Sequence, residues 1–164
     1  MTVQVRPFTD EDRLWAIELM RERWGSEVVV TRGKARDASL LEGFVAEIEG
    51  EPVGLAVYET RGAECELVTL DSLREGVGVG SALIAAVANA GWRQDCRLLS
   101  VVTTNNNVRA LGFYQRRGFV LTAFRKGAIE KSRRIKPEIP EFGFDGIPIR
   151  DELELALDLH KDRA

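Results

Sequence analysis

The chain has 164 residues, 45% hydrophobic and 30% charged, with a net charge of −3 and a pI near 5.4. This is the composition of an ordinary globular protein long enough to bury a core without staples. No apolar run approaches the roughly 20 residues that cross a bilayer, and the N-terminus lacks the apolar centre of a signal peptide. The expectation is therefore one domain over residues 1–164, in the cytoplasm, with no membrane partner. Cys65 and Cys96 are too few for a disulfide framework and lack metal-ligand spacing, so buried reduced thiols and no metal are expected. His160, the single histidine, sits in the charged tail Asp158-Leu159-His160-Lys161-Asp162-Arg163 and reads as a solvated residue.

Val3 to Phe8 reads as a short strand whose proline marks an edge or an end. Thr9-Asp10-Glu11-Asp12 then supplies a helix cap with an acidic first turn. Leu14, Ile17, Met20 and Trp24 follow at steps of three or four, which makes them the expected core face, and Gly25 ends the helix. Val28 to Thr31 and Arg32 to Asp37 read as irregular or partly extended. Phe44 to Ile48 and Val53 to Tyr58, joined through Glu49-Gly50-Glu51-Pro52, form an expected hairpin. Cys65 to Leu70 alternates apolar and polar residues and is the fourth expected strand.

That strand hands over to a helix, Ala82 to Ala90, through the alternate glycines Gly76, Gly78 and Gly80. Glycine lets backbone N–H groups face outward, and a helix N-terminus adds unpaired donors and partial positive charge. The combination is an anion cradle. Spacing excludes two familiar forms of it. Ser81 stands where a Walker A loop needs its second glycine, with no lysine following, and Ser81 or Leu83 stands where a dinucleotide fingerprint needs its third.

Gly91 is the expected helix stop. Cys96 to Thr103 reads as a nearly continuous apolar strand, parallel to the one before the glycine loop and reached by a right-handed crossover. Thr104-Asn105-Asn106-Asn107 offers N-caps for a helix from Val108 to Arg117, closed by Gly118, and Phe119 to Phe124 returns as a strand. Asn107 and Tyr114 lie two helical turns apart on nearly the same face, with small Ala110 between them, an arrangement that suits a narrow channel. The alternative is a core tyrosine with its hydroxyl at the surface. Arg125, Lys126, Lys131, Arg133, Arg134 and Lys136 stand against Glu130. The acidic pI and the lack of interleaved aromatics favour a solvated helix or loop over nucleic-acid binding. A Pro/Gly loop from Lys136 to Ile149 precedes a last strand, Arg150 to Leu157, and is placed over an acceptor site or at a homodimer contact.

Two segments together, Gly76-x-Gly78-x-Gly80 and Asn107-x-x-Ala110-x-x-Phe113-Tyr114-x-x-x-Gly118-Phe119, resemble the signatures of the GNAT superfamily of acyl-CoA-dependent N-acyltransferases. The resemblance covers roughly residues 64 to 124. It implies an α/β (α+β) fold with a mixed, mostly antiparallel central sheet of about six to seven strands and helices on both faces. It implies acetyl-CoA as co-substrate and transfer of its acetyl group to a primary amine, on a small molecule or on a protein N-terminus or lysine. The coenzyme pyrophosphate would meet the backbone of Gly76, Val77, Gly78, Val79, Gly80 and Ser81. Asn107 would contact the pantetheine, and Tyr114 would lie near the sulfur as general acid. Backbone N–H groups from Leu70 to Ser72, where the family strand bulges and splays, would meet the developing oxyanion.

One departure stands out: Glu75 occupies the position where the family has Arg or Gln. Either Glu75 turns to solvent and Arg74 approaches, or the backbone alone supplies the donors, which is the preferred reading. Without a usable histidine, the base falls to carboxylates. Glu64 and Glu66 are expected on one strand face with Val68 and Leu70, where apolar neighbours would raise their pKa values; the alternative is a pair of solvated charges. The rival function is an idle acyl-CoA-binding sensor. The acceptor would be lined by Trp24 to Arg36 and Ile135 to Pro148, which match no signature.

Overall fold

The computed structural model describes residues 2–160. Strand β1 (Val3–Pro7) forms one edge of the main sheet, where proline is tolerated. A 3-10 turn at Asp10–Asp12 leads into α1 (Arg13–Trp24), which ends at Gly25 in the left-handed conformation, φ 80°. The core face of α1 includes Met20 as expected, but its buried partners are Ala16 and Leu19, while Leu14 is 79% exposed. Steps of three and four can start from Leu14 or from Ala16. The short Ala16 lets the helix lie close on Val45, Leu55 and Val57 of the sheet.

Strands β2 (Val28–Thr31) and β3 (Lys34–Asp37), read from the sequence as irregular or partly extended, form a separate two-stranded ribbon. Its turn residues, Arg32 and Gly33, both have positive φ (54° and 74°), the backbone twist that closes a tight hairpin. Strands β4 (Glu42–Ile48), β5 (Glu51–Arg61) and β6 (Glu64–Ser72) form an antiparallel meander. Helix α2 (Val79–Arg93) crosses to β7 (Leu98–Thr104), which runs parallel to β6. Gly91 does not stop α2. It is buried inside the helix, where an added Cβ would sit 3.1 Å from Cys65, so it serves close packing. Helix α3 (Val108–Arg116), β8 (Val120–Arg125), α4 (Ala128–Ile135) and β9 (Glu152–Asp158) complete the described chain.

The main sheet has seven strands in the order β1-β4-β5-β6-β7-β9-β8, mixed and mostly antiparallel as expected. Val79, Leu83 and Val87 of α2 join Ala56, Leu67 and Leu99 in the core on one face, and α1 covers the other. Cys65 and Cys96 are buried free thiols. His160 is exposed with its ring 4.5 Å from that of Trp92, and Lys161-Asp162-Arg163 lie outside the described residues.

Strand β6 carries two irregularities. It pairs with β7 only from Glu64 to Leu67, against Leu98 to Val101, although both strands run on; their C-terminal ends leave a V-shaped gap. The bulge expected at Leu70 to Ser72 falls earlier: pairing with β5 jumps from Leu67–Tyr58 to Thr69–Val57, leaving Val68 as an extra residue. One extra residue reverses the alternation beyond it. Thr69 and Asp71 therefore share the α1 face with Glu64 and Glu66, and Leu70 turns to the α2 face, opposite to the expectation.

Candidate active site

The loop from β6 to α2 turns on Gly76 and Gly78, at φ 77° and 88°, conformations that a Cβ makes costly. An added Cβ at either would meet nothing within 4 Å, so the space beside both glycines is open. The first bond of α2 runs from the Ala82 N–H to the Gly78 carbonyl, which leaves the Val79, Gly80 and Ser81 N–H groups ahead of the helix ladder. Open space, outward N–H groups and a helix N-terminus fit a pyrophosphate. Gly80 has a different reason: a Cβ there would sit 2.8 Å from the Phe113 ring, so glycine lets α2 and α3 close on each other.

Glu75 is turned outward and paired with Arg109 (3.1 Å), both well exposed. Its carboxylate is thereby partly neutralised. Arg117 donates from Nε to the Ser81 hydroxyl (2.9 Å) and lies 3.5 Å over the Phe113 ring, which sets a cation at the first turn of α2. Arg109 and Arg117 were not singled out in the sequence because they lie 34 or more residues from the loop they flank.

Asn107 is the N-cap of α3. Its Oδ1 accepts from the Ala110 N–H (3.2 Å), so the amide NH2 is the end left for another partner. The preceding Asn105 ties down the Pro/Gly loop: its Nδ2 donates to the Pro148 carbonyl, and its Oδ1 accepts from the Arg150 and Asp151 N–H groups. The long loop is thus held against the entry to α3. Tyr114 is 7% exposed, packed edge-on between Phe113 and Phe119 with centroids 5.3 Å away on both sides. Burial, and secondarily the charge of Asp71, push its phenol above the ordinary range, so it keeps its proton.

Glu64, partly exposed, and Glu66, buried, are both set among ion-pair partners and not among apolar groups. Glu66 is buried and accepts from Arg36 Nη2 (2.7 Å), Arg61 Nη2 (3.1 Å) and the Thr31 hydroxyl (2.8 Å). Glu64 accepts from Arg32 Nη2 and from the Ser100 hydroxyl, both at 2.6 Å. Arg32 above all holds the Glu64 carboxyl below its ordinary value in spite of burial, the reverse of the raised pKa expected. The cause is the β2–β3 ribbon, whose turn delivers Arg32 to Glu64, Glu66 and Glu154. Glu64, held this way, accepts a proton reluctantly. Glu66→Gln should destabilise the fold by on the order of 3 kcal/mol, because it leaves the buried Arg36 without its closest counter-charge. Urea unfolding would show it; a loss under about 1 kcal/mol would mean that the network contributes little.

Sequence reasoning passed over Asp71, which the bulge turns to the α1 face. It is 3% exposed, and the Trp24 indole N–H donates to both its oxygens (3.1 and 3.2 Å). Burial raises its carboxyl to about 6, with the Trp24 bond and the charge of Arg23 pulling the other way. Between the unfolded value of 3.8 and about 6 the folded protein holds a proton that the unfolded chain has released, so stability falls as pH rises through that window. Asp71→Asn should accordingly be more stable than the parent above about pH 6, by on the order of 3 kcal/mol, with little difference below about pH 4. Urea unfolding at both ends of the window checks this, and an equal effect at both would remove the buried charge as its cause.

Acceptor chemistry aside, the arrangement has relatives. A model described as the acetyltransferase (GNAT) family matches residues 7–119. The chain belongs to the GNAT acetyltransferase family. Protein YdhI of Bacillus subtilis (strain 168), itself uncharacterized, is 41% identical over 138 residues, 83% of this chain and 86% of that one. Among solved structures, an IAA acetyltransferase from Bacillus cereus ATCC 14579 superposes with a TM-score of 0.75 at 22% identity, covering 96% of this chain and 99% of the other. The putative acetyltransferase yncA of Salmonella typhimurium, solved with its cofactor acetyl-CoA, gives 0.68 at 15% identity over 100% and 98%. Both confirm the GNAT fold. The GNAT match ends at Phe119, before β8, α4, the Pro/Gly loop and β9. The surface cleft lined by Arg61, Ala63, Glu64, Arg97, Leu98 and Asp158 lies at the start of β6 and β7, the opposite end from the glycine loop. No helix among the described residues is long and apolar enough to cross a membrane.

Proposed function

We propose that this GNAT protein is a cytoplasmic, single-domain N-acetyltransferase that moves the acetyl group of acetyl-CoA to a primary amine, carried by a small molecule or by a protein. The observation that carries the reading is the V-shaped gap between β6 and β7 with an open glycine loop at its mouth and a buried phenol on the helix that follows β7. Acetyl-CoA in the Salmonella neighbour supports the choice of donor.

When bound, acetyl-CoA would supply the thioester carbonyl. Backbone N–H groups from Gly76 to Ser81 hold the pyrophosphate, helped by Arg117 beside Ser81. Leu70 and Ser72, at the free end of β6, present backbone donors to the carbonyl oxygen as charge builds there. The NH2 end of Asn107 meets the pantetheine amides, and Tyr114 hands its proton to the departing thiolate. The decisive experiment is a screen of primary amines and of peptides with free N-termini or lysines, read as thiol released from acetyl-CoA. At least one acceptor should release thiol above the amine-free rate. If acetyl-CoA binds and no acceptor does so, the protein is an acyl-CoA sensor.

A further inference from the structure

Glu64 and Glu66 are both engaged in ion pairs, and the turn of β6 after its bulge brings a further carboxylate to the α1 face. We propose that Asp71 is the proton acceptor for the attacking amine, with the Thr69 hydroxyl holding that amine, or one bridging water, beside it. The assignment rests on the N-acetyltransferase reading above.

Four observations carry it. Asp71 belongs to the end of β6 that has parted from β7, in the segment whose backbone faces the thioester in the reading above. Its carboxylate receives one N–H, that of Trp24, shared between two oxygens that together have room for about four donors. Glu66, by contrast, takes donors from Arg36, Arg61 and Thr31. Thr69 lies two residues before Asp71 on the same strand face, and its buried Oγ1 has no hydrogen-bond partner among the described residues. A buried hydroxyl without a partner calls for a missing one, and a strand spacing of roughly 6–7 Å between the two Cα atoms leaves room for a single small polar group.

Access and charge agree with this placement. Trp24 is 45% exposed while bonded to a residue only 3% exposed, so the indole reaches from solvent to the carboxylate. The charged group acting on Asp71 is Arg23 from α1, and Asp71 in turn acts on the titratable Tyr114 of α3. The charge of Asp71 bears on Tyr114, which packs in the core on the other face of the sheet. The acceptor ammonium gives one proton to the Asp71 carboxylate. Its neutral nitrogen then forms the N–C bond as the C–S bond breaks, and the thiolate takes the Tyr114 proton. The second proton lost by nitrogen restores Tyr114, and Asp71 releases its own to solvent before the next cycle.

The test compares n-butylamine, an ammonium ion at pH 7, with hydroxylamine, which is largely neutral there and needs no base. In Asp71→Asn, thiol release with n-butylamine should fall by about 10²–10³-fold while hydroxylamine keeps its rate within about threefold and acetyl-CoA affinity holds. In Asp71→Asn the n-butylamine rate should no longer level off above the Asp71 range and should instead climb steadily with pH toward the amine's own range, where more of it is neutral. In Trp24→Phe, which removes the N–H that favours the carboxylate, the levelling-off should move to higher pH. Equal losses with both amines, or an unchanged pH–rate profile, would show Asp71 to be structural and overturn the proposal while leaving the acetyltransferase standing. Parent protein that acetylates hydroxylamine but not n-butylamine would also overturn it, since a working base should serve both. Parent protein that binds acetyl-CoA but acetylates neither these amines nor any acceptor of the screen above would remove the acetyltransferase reading and Asp71's role together; an acceptor found only in that screen takes the place of n-butylamine.

Discussion

Gly78→Asp should abolish binding of acetyl-CoA, loosening it by 100-fold or more in calorimetry. Two effects act in the same direction. At φ 88° any side chain imposes strain on the order of 1–2 kcal/mol, and a carboxylate would be placed in the open space that the turn reserves for phosphate oxygens. Gly78→Ala separates them, because it carries the strain without the charge and should weaken binding by only about tenfold. Since Gly78 contacts nothing that a Cβ would disturb, both variants should retain the fold by circular dichroism. Unchanged affinity in the folded Asp variant would mean that the phosphates bind elsewhere.

Tyr114→Phe should leave acetyl-CoA affinity intact and lower turnover by roughly 10²–10⁴-fold, the range for a lost acid. The ring keeps its edge contacts to Phe113 and Phe119, so packing is preserved and only the proton is removed. Because burial holds the phenol protonated throughout the neutral range, the parent should show no loss of rate from tyrosine ionisation up to about pH 9. A fall under about fivefold would mean that water protonates the thiolate, or that its departure does not limit the rate.

The range of each interaction decided whether the sequence disclosed it or hid it. Gly76, Gly78 and Asn107 were legible because a positive φ and an N-cap are local demands that few residue types meet. The parallel crossover was legible for the same reason, as periods changed from two to helical and back. The bulge at Val68 was not, since Cys65 to Leu70 alternates without a break and the extra residue shows only in pairing with β5. That single displaced residue misplaced Leu70 and concealed Asp71. The ribbon from Val28 to Asp37 was also hidden, because its turn residue Arg32 is a poor former of positive φ and is held there by side-chain partners at Glu64 and Glu154, far along the chain. The ion pairs of Glu64 and Glu66 could not be read without it.

Strand β9 lies between β7 and β8, and this order has a consequence in time. During synthesis β1, β4, β5, β6 and β7 can assemble as soon as they emerge, but β8 joins the sheet only through residues 152–158. Until then β7 presents an open edge carrying Leu99 and Val101, which are buried in the finished protein. Open apolar edges recruit other chains. A ribosome paused between residues 126 and 151 would therefore hold a nascent chain that is prone to pair with its neighbours. The same chain would have Tyr114 in place by sequence but β8, the strand following its helix, not yet anchored. Catalytic competence should thus arrive abruptly, with the last strand, and should not grow in step with chain length.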